Sequence, residues 1–238
     1  MDKGSANCDL IGIGLYSVPE AARLTHISAA RLRRWLLGYD HGKKEDTRYS
    51  PPVLKRDIEV IDGYAALSFL DLIEARFVGA FLQQGVRWRE IRAASAAASV
   101  MLASSHPFAT HSFITDGKSI FAEIVNNATD LALIHLSKQQ YVIKEVLAPS
   151  LLKGLEFEKE ALVRWRPFGG KHPVVLDPKR AFGRPIVEQS GVPTHVLACA
   201  FKAEGGEQEN ASSIVARHFD ISKREVTAAV EFERQLAA

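Results

Sequence analysis

The stretch Leu15 to Tyr39, LYSVPEAARLTHISAARLRRWLLGY, constrains the fold more than any other, because two helix start signals follow each other within residues 15–39. Ser17, with Glu20 three residues on and Pro19 in the first turn, forms a capping box in which hydroxyl and carboxylate satisfy each other's backbone donors. A helix is predicted to start near Val18, with Val18, Ala21, Ala22 and Leu24 on its apolar side. Thr25-His26-Ile27 is the turn. Ser28 then caps a second helix over 29–37, a segment without Gly or Pro. In that helix Leu32, Trp35 and Leu36 share one face while Arg31 and Arg34 share another, with Arg33 beside them. The apolar face packs, and the arginine face is left for a partner.

Charge says which partner. The net charge of +2 is uninformative until it is divided along the chain. Residues 15–56 carry nine Lys/Arg against four acids, a net of +5, whereas residues 57–170 sum to −2 and residues 171–238 to zero. The positive field therefore belongs to the N-terminal module, and phosphate is the counterpart it suits. Ala29, Ala30 and Arg31, at the start of the second helix, are placed to approach base edges of double-stranded DNA, where an arginine can donate two hydrogen bonds to guanine, and Ser28 is counted with them as a DNA-binding residue. Arg33 and Arg34 would hold phosphate. Residues 38–52 have the Gly, Lys, Asp and Arg composition of a loop or wing, from which Lys43, Lys44 and Arg48 would reach the DNA backbone.

Residues 16–39 resemble the N-terminal helix-turn-helix of MerR-type regulators. The matching residues are Leu24-Thr25-His26-Ile27-Ser28 and Leu32-Arg33-Arg34-Trp35. The resemblance implies a wing after the second helix, and the β-branched run Ile58 to Ile61 with the turn Asp62-Gly63 is expected to complete it.

Further along, Leu67 to Leu82 places Leu67, Leu70, Ile73, Phe77 and Phe81 at helical spacing, with Ser68 and Asp71 at its start. A second long helix is expected over 88–104, with a small-residue stripe of Ile91, Ala94, Ala98 and Met101 and with Arg87, Arg89 and Arg92 at its entry. His106-Pro107 should end the helical region. His111 to Thr115, Asp116-Gly117 and Lys118 to Val125 read as a β-hairpin. Strands are expected at 132–136, 140–143 and 162–165, with a short helical stretch over 145–153. The predicted organisation is α+β: a winged helix-turn-helix with two long helices over 1–105, a small strand-rich middle module over 106–170, and a three-helix, helix-turn-helix-like domain over 171–238. Phe168-Gly169-Gly170 would be a linker. In the last domain Thr194 caps a first helix, residues 211–218 form a second, and Asp220-Ile221-Ser222 turns into a third over 223–236.

Residues 173–236 resemble domain-of-unknown-function family 433, through Gly183-Arg184-Pro185-Ile186-Val187, Val215-Ala216-Arg217-His218-Phe219 and Val226-Thr227-Ala228-Ala229-Val230-Glu231-Phe232. Proteins that join such a domain to a MerR-like N-terminus are similar to VapB-type antitoxins. The resemblance implies a homodimeric, DNA-binding antitoxin that represses its own operon and neutralises a PIN-like ribonuclease toxin. Arg164, Arg166 and Lys171 are the cations expected to face the toxin's acidic metal site. The alternative is a free-standing MerR-like regulator that senses a small ligand.

No catalytic constellation stands out. The eight histidines are scattered, no His/Cys cluster has metal-ligand spacing, and Gly12-Ile13-Gly14 lacks the third glycine of a dinucleotide fingerprint. Neither an enzyme nor a cofactor is expected. Cys8 and Cys199 are too few for a disulfide framework, which fits a cytoplasmic protein, and no apolar run is long enough to span a membrane.

Overall fold

The computed structural model describes residues 10–43, 46–60, 62–126, 149–206 and 210–237. Helix α1 (Val18–Thr25) opens on the expected capping box: the Ser17 amide donates to Glu20 Oε2 at 2.9 Å, and the Glu20 amide donates to Ser17 Oγ at 3.3 Å. His26 ends it in the left-handed region, at φ 55°. Helix α2 (Ala29–Leu37) begins at Ser28, whose hydroxyl accepts from the Arg31 amide. Its Leu32, Trp35 and Leu36 are buried, and Trp35 meets Trp88 edge-on at 5.3 Å.

The wing forms earlier than the β-branched run suggested. Strands β2 (Tyr39–Lys43) and β3 (Asp46–Ser50) pair antiparallel from Tyr39↔Ser50 to Lys43↔Asp46. Residues 58–60 are not a strand: Ile58 is buried as a single side chain, Val60 is exposed, and Ile61 lies outside the described residues. Gly38 makes the sharp exit from α2 into the wing at φ +73°, where an added Cβ would lie 2.5 Å from Tyr49 Oη and 2.6 Å from the Ser50 carbonyl oxygen. Gly38→Ala should therefore destabilise the protein by about 1–3 kcal/mol through backbone strain and that clash. Thermal unfolding checks this, and an unchanged midpoint would show that the wing can shift freely.

Strand β1 (Tyr16–Ser17) pairs with β4 (Ala66–Leu67), which clips the start of the helix pair to the start of helix α3 (Phe69–Gln83). Helix α3 is the centre of the core. Phe69, Leu72, Ile73, Phe77 and Phe81 are all buried, as expected of most of its apolar positions, but Asp71 and Glu74 are buried too. Its Gly79 lets the helix pair approach, since a Cβ there would lie 2.9 Å from Ile27 Cδ1. Helix α4 (Trp88–Met101) follows, with Ile91, Ala94 and Ala98 buried and Met101 exposed.

Residues 111–125 overturn the expected hairpin. After a 3₁₀ turn at Pro107–Ala109 the chain is helical over α5 (His111–Asn126), which is two helical pieces joined by a kink at Asp116 (φ −117°, ψ 16°). Phe113, Ile120 and Ile124 recur at helical spacing and are buried, Phe113 against Phe77 and Phe108. The local preference of Asp116-Gly117 survives as the kink, while burial of that stripe keeps both flanking pieces helical and not extended. The strands expected at 132–136 and 140–143 lie outside the described residues. Of the stretch 145–153, helix α6 (Pro149–Leu152) is described.

An antiparallel four-stranded sheet follows in the order β5 (Leu155–Glu158), β6 (Ala161–Trp165), β7 (Val174–Leu176), β8 (Pro185–Val187). Phe168-Gly169-Gly170 is thus the turn region between two paired strands of one sheet, and the Gly169 amide donates to the Arg166 carbonyl. Helices α7 (Thr194–Ala203), α8 (Ala211–His218) and α9 (Lys223–Ala237) complete the fold. Thr194 does not cap α7. It is the first helical residue, fully buried, and its hydroxyl donates to Glu233 Oε1, with the Pro185 carbonyl oxygen 3.3 Å away. Ser222 and Glu225 do form a capping box for α9. On α9, Val226, Ala229 and Val230 pack with Val187, Leu197 and Val215, while Phe232 meets Phe168 edge-on in the main core. Helices and small antiparallel sheets make the fold α+β. No helix among the described residues is long and apolar enough to cross a membrane.

Candidate nucleic-acid interface

The capped start of α2 and its buried Leu32, Trp35 and Leu36 fix which side of the helix faces out. Ala30, Arg31, Arg33 and Arg34 are all exposed on it. Ser28 is exposed as well, with its hydroxyl engaged as the cap. The unpaired amides at this N-terminus add partial positive charge to that of the arginines. The Arg34 guanidinium lies over the Tyr39 ring, 5.4 Å from its centroid, so it is held at the junction of helix and wing.

The wing contributes less free charge than the sequence implied. Arg48 pairs with Asp46 at 3.0 Å, although the two side chains are 72% and 69% exposed and such a pair exchanges readily for phosphate. Lys43 lies in β2; its side chain and the whole of Lys44 fall outside the described residues. Arg92 of α4, read from the sequence as part of a solvated entry, reaches the base of the wing and donates to Ser50 Oγ at 2.9 Å and to the Pro51 carbonyl. It braces the wing against the core, a role with no local signature.

Arg164 and Arg166 are not free cations. Arg166 is buried and bonds Glu156 and both oxygens of Glu188. Its hydrogen bond holds the Glu188 carboxyl below the usual range, and in return Glu188 raises Arg166. Arg164 Nε donates to Asp177 Oδ2 at 3.2 Å, with Glu156 and Glu188 each 3.8 Å away. Both arginines, expected to face a toxin, are thus already paired within the chain: strand pairing brings the acids of β5 and those after β7 and β8 beside them. Lys171 is exposed between β6 and β7.

A buried polar cluster stands behind the interface, and the sequence did not reveal it. His106 Nε2 lies 2.8 Å from Asp71 Oδ1 and 3.6 Å from Asp57 Oδ2. Asp71 Oδ2 accepts the Ser68 amide, Ser68 Oγ donates to Asp57, and Ser105 Oγ lies 3.0 Å from His106 Nδ1. Glu74 Oε1 accepts the Phe108 amide at 2.7 Å. The ligand atoms of Asp57, Asp71 and His106 all lie within 4.8 Å of one another, close enough to take a divalent ion. Each is already partnered, however, and the cluster acts as a clamp joining the segment after the wing, the start of α3 and the turn before α5.

Burial opposes the imidazolium of His106, but the Asp71 hydrogen bond and the Asp57 charge prevail and raise its pKa. Burial pushes Glu74 from 4.5 up to about 8, against the opposing His106 charge and the Phe108 and Ala109 amides. Across that window the folded state alone keeps the Glu74 proton, so this group makes stability fall as pH rises from 4.5 to about 8. Glu74→Gln removes the loss. Urea midpoints at about pH 5 and pH 8 should lie closer together in the variant than in the parent, and an unchanged gap would contradict the assignment.

No protein-family model matches the chain. Over 192 residues it is 29% identical to a Mycobacterium tuberculosis protein named "Putative antitoxin VapB45", covering 76% of this chain and 79% of that one. The crystal structure of Rv2018 from Mycobacterium tuberculosis matches with a TM-score of 0.66 at 21% identity, over 92% of this chain and 99% of the other, which establishes a shared fold.

Proposed function

We propose that this chain is the antitoxin of a toxin–antitoxin pair and that it binds operator DNA through α2 and the wing. The observation that carries the DNA half is the exposed Arg31, Arg33 and Arg34 on the second helix of a capped pair, with a β-hairpin directly after it. The similarity to the protein named as an antitoxin supports the other half. In this reading a homodimer sets two α2 helices in successive major grooves, about 34–36 Å apart, on a palindromic site before its own gene. Ser28, Ala30 and Arg31 meet base edges, Arg33 and Arg34 hold phosphate, and Lys43, Lys44 and Arg48 follow the backbone from the wing. The MerR-like arrangement of helix, turn, helix and wing accords with this docking. The partner is a PIN-like ribonuclease, and Lys171 is the exposed cation offered to its acidic metal site.

Two measurements test the reading separately. Gel-shift titration with DNA from upstream of the gene should give a specific complex whose affinity falls steeply with salt, through release of counterions. Equal affinity for scrambled DNA of the same length would sink the operator-binding half. Co-expression with the neighbouring gene should bring a nuclease down with this chain. A chain that purifies alone, in the presence of that product, would instead favour a free-standing regulator.

A further inference from the structure

Beneath the turn of the helix pair lies a cleft of about 290 Å³. Its walls come from five parts of the chain: Ile27 and the turn before it, Arg76 of α3, Leu151 of α6, Trp165 of β6, and Phe232 of α9. Two of these residues carry buried donors without acceptors. Arg76 Nη1 and Trp165 Nε1 have no hydrogen-bond partner among the described residues, and Trp165 is only 4% exposed. The Arg76 Cζ sits 4.0 Å from the Trp165 ring centroid, so the two orphan donors belong to stacked neighbours in the cleft wall.

Among the described residues no carboxylate compensates the charge of Arg76 either. Its Nη2 donates to the Leu151 carbonyl at 3.2 Å, and among the described residues it makes no ion pair. Burial alone lowers its pKa, to about 10, with no carboxylate acting the other way. An unpaired buried donor costs about 1–3 kcal/mol, and more when it is charged. Stacking on Trp165 offsets part of that cost but supplies no acceptor. What would complete the site is an anionic oxygen acceptor with an apolar body, which matches a guanidinium and an indole N–H set among Leu24, Ile27 and Phe232.

We propose that this cleft binds a small organic carboxylate, with Arg76 Nη1 and Trp165 Nε1 donating to its oxygens and its apolar part lying toward Ile27 and Phe232. The site is separate from the arginine face of α2 and stands whether or not that face reads DNA.

Isothermal titration of the full chain with benzoate tests this, with benzamide as the neutral isostere and inorganic phosphate as the other anion. Saturable benzoate binding is expected, with benzamide and phosphate both at least about tenfold weaker, because a charge-assisted bond is lost in one and the apolar body in the other. Arg76→Met should abolish benzoate binding. Trp165→Phe keeps the stacked ring, removes one donor and should weaken binding by roughly 3- to 10-fold, so the proposal stays testable if the arginine variant does not fold. No saturable heat with benzoate up to about 20 mM, a range that reaches millimolar affinities, would overturn the proposal, as would equal binding of benzamide. Phosphate binding as tightly as benzoate would overturn the carboxylate assignment.

Discussion

Replacing His106 with Ala is expected to destabilise the protein by about 3–5 kcal/mol, because it leaves a buried carboxylate without its counter-charge. Asp71 is fully buried and its Oδ1 faces the imidazole at 2.8 Å. Its other oxygen keeps the Ser68 amide, so the loss falls on one hydrogen bond and one ion pair. Asp57→Asn should cost much less, since that side chain is 32% exposed and lies 3.6 Å from the ring. The pKa of His106 is raised in the folded protein. Its contribution is therefore fully present below the ordinary imidazole value of 6.5 and fades as pH rises through the higher folded value. The gap in stability between parent and His106→Ala should narrow accordingly in alkaline buffer. Urea unfolding at a series of pH values measures both effects. A loss under about 1 kcal/mol in acid would mean that water replaces the imidazole and that the cluster is no clamp.

The double substitution Arg31→Ala plus Arg34→Ala is expected to remove most of the DNA affinity while leaving the fold intact. Both side chains are exposed, and the apolar face of α2 is untouched. A bidentate base contact from Arg31 is worth about 1–3 kcal/mol at its base pair, and in a dimer the loss counts twice. Arg34, as a phosphate contact, should weaken all sequences alike and reduce the salt slope by about one unit per contact. Circular dichroism should be unchanged in the variant. Unaltered affinity for upstream DNA would remove α2 as the reader and leave the local charge excess unexplained.

Both predictions depend on residues whose visibility in the sequence differed sharply. The arginines of α2 were legible because a helix start signal and a 3.6-residue repeat together dictate which positions face out. The His106 clamp was not. It joins residues 35 apart in the chain, and nothing local at Asp71 distinguishes a surface cap from a buried one. Helix α3 shows the same limit, since its apolar periodicity was plain but burial on nearly every side, acids included, was not.

The hairpin expected at 111–125 failed for a related reason. Asp116-Gly117 is a strong turn signal over a few residues, yet Phe113, Ile120 and Ile124 together gain more by burial in the core as a helix. Likewise the ion pairs of Arg164 and Arg166 have no local signature, because their acid partners on β5 and after β7 and β8 become neighbours through strand pairing. The sequence by itself determined the caps, the helix pair and its charged face, since these rest on interactions spanning three or four residues. Tertiary structure alone decided where the wing paired, which acids were buried and which arginine, among the described residues, was buried without a carboxylate. Those outcomes depend on which distant segments exclude water from one another.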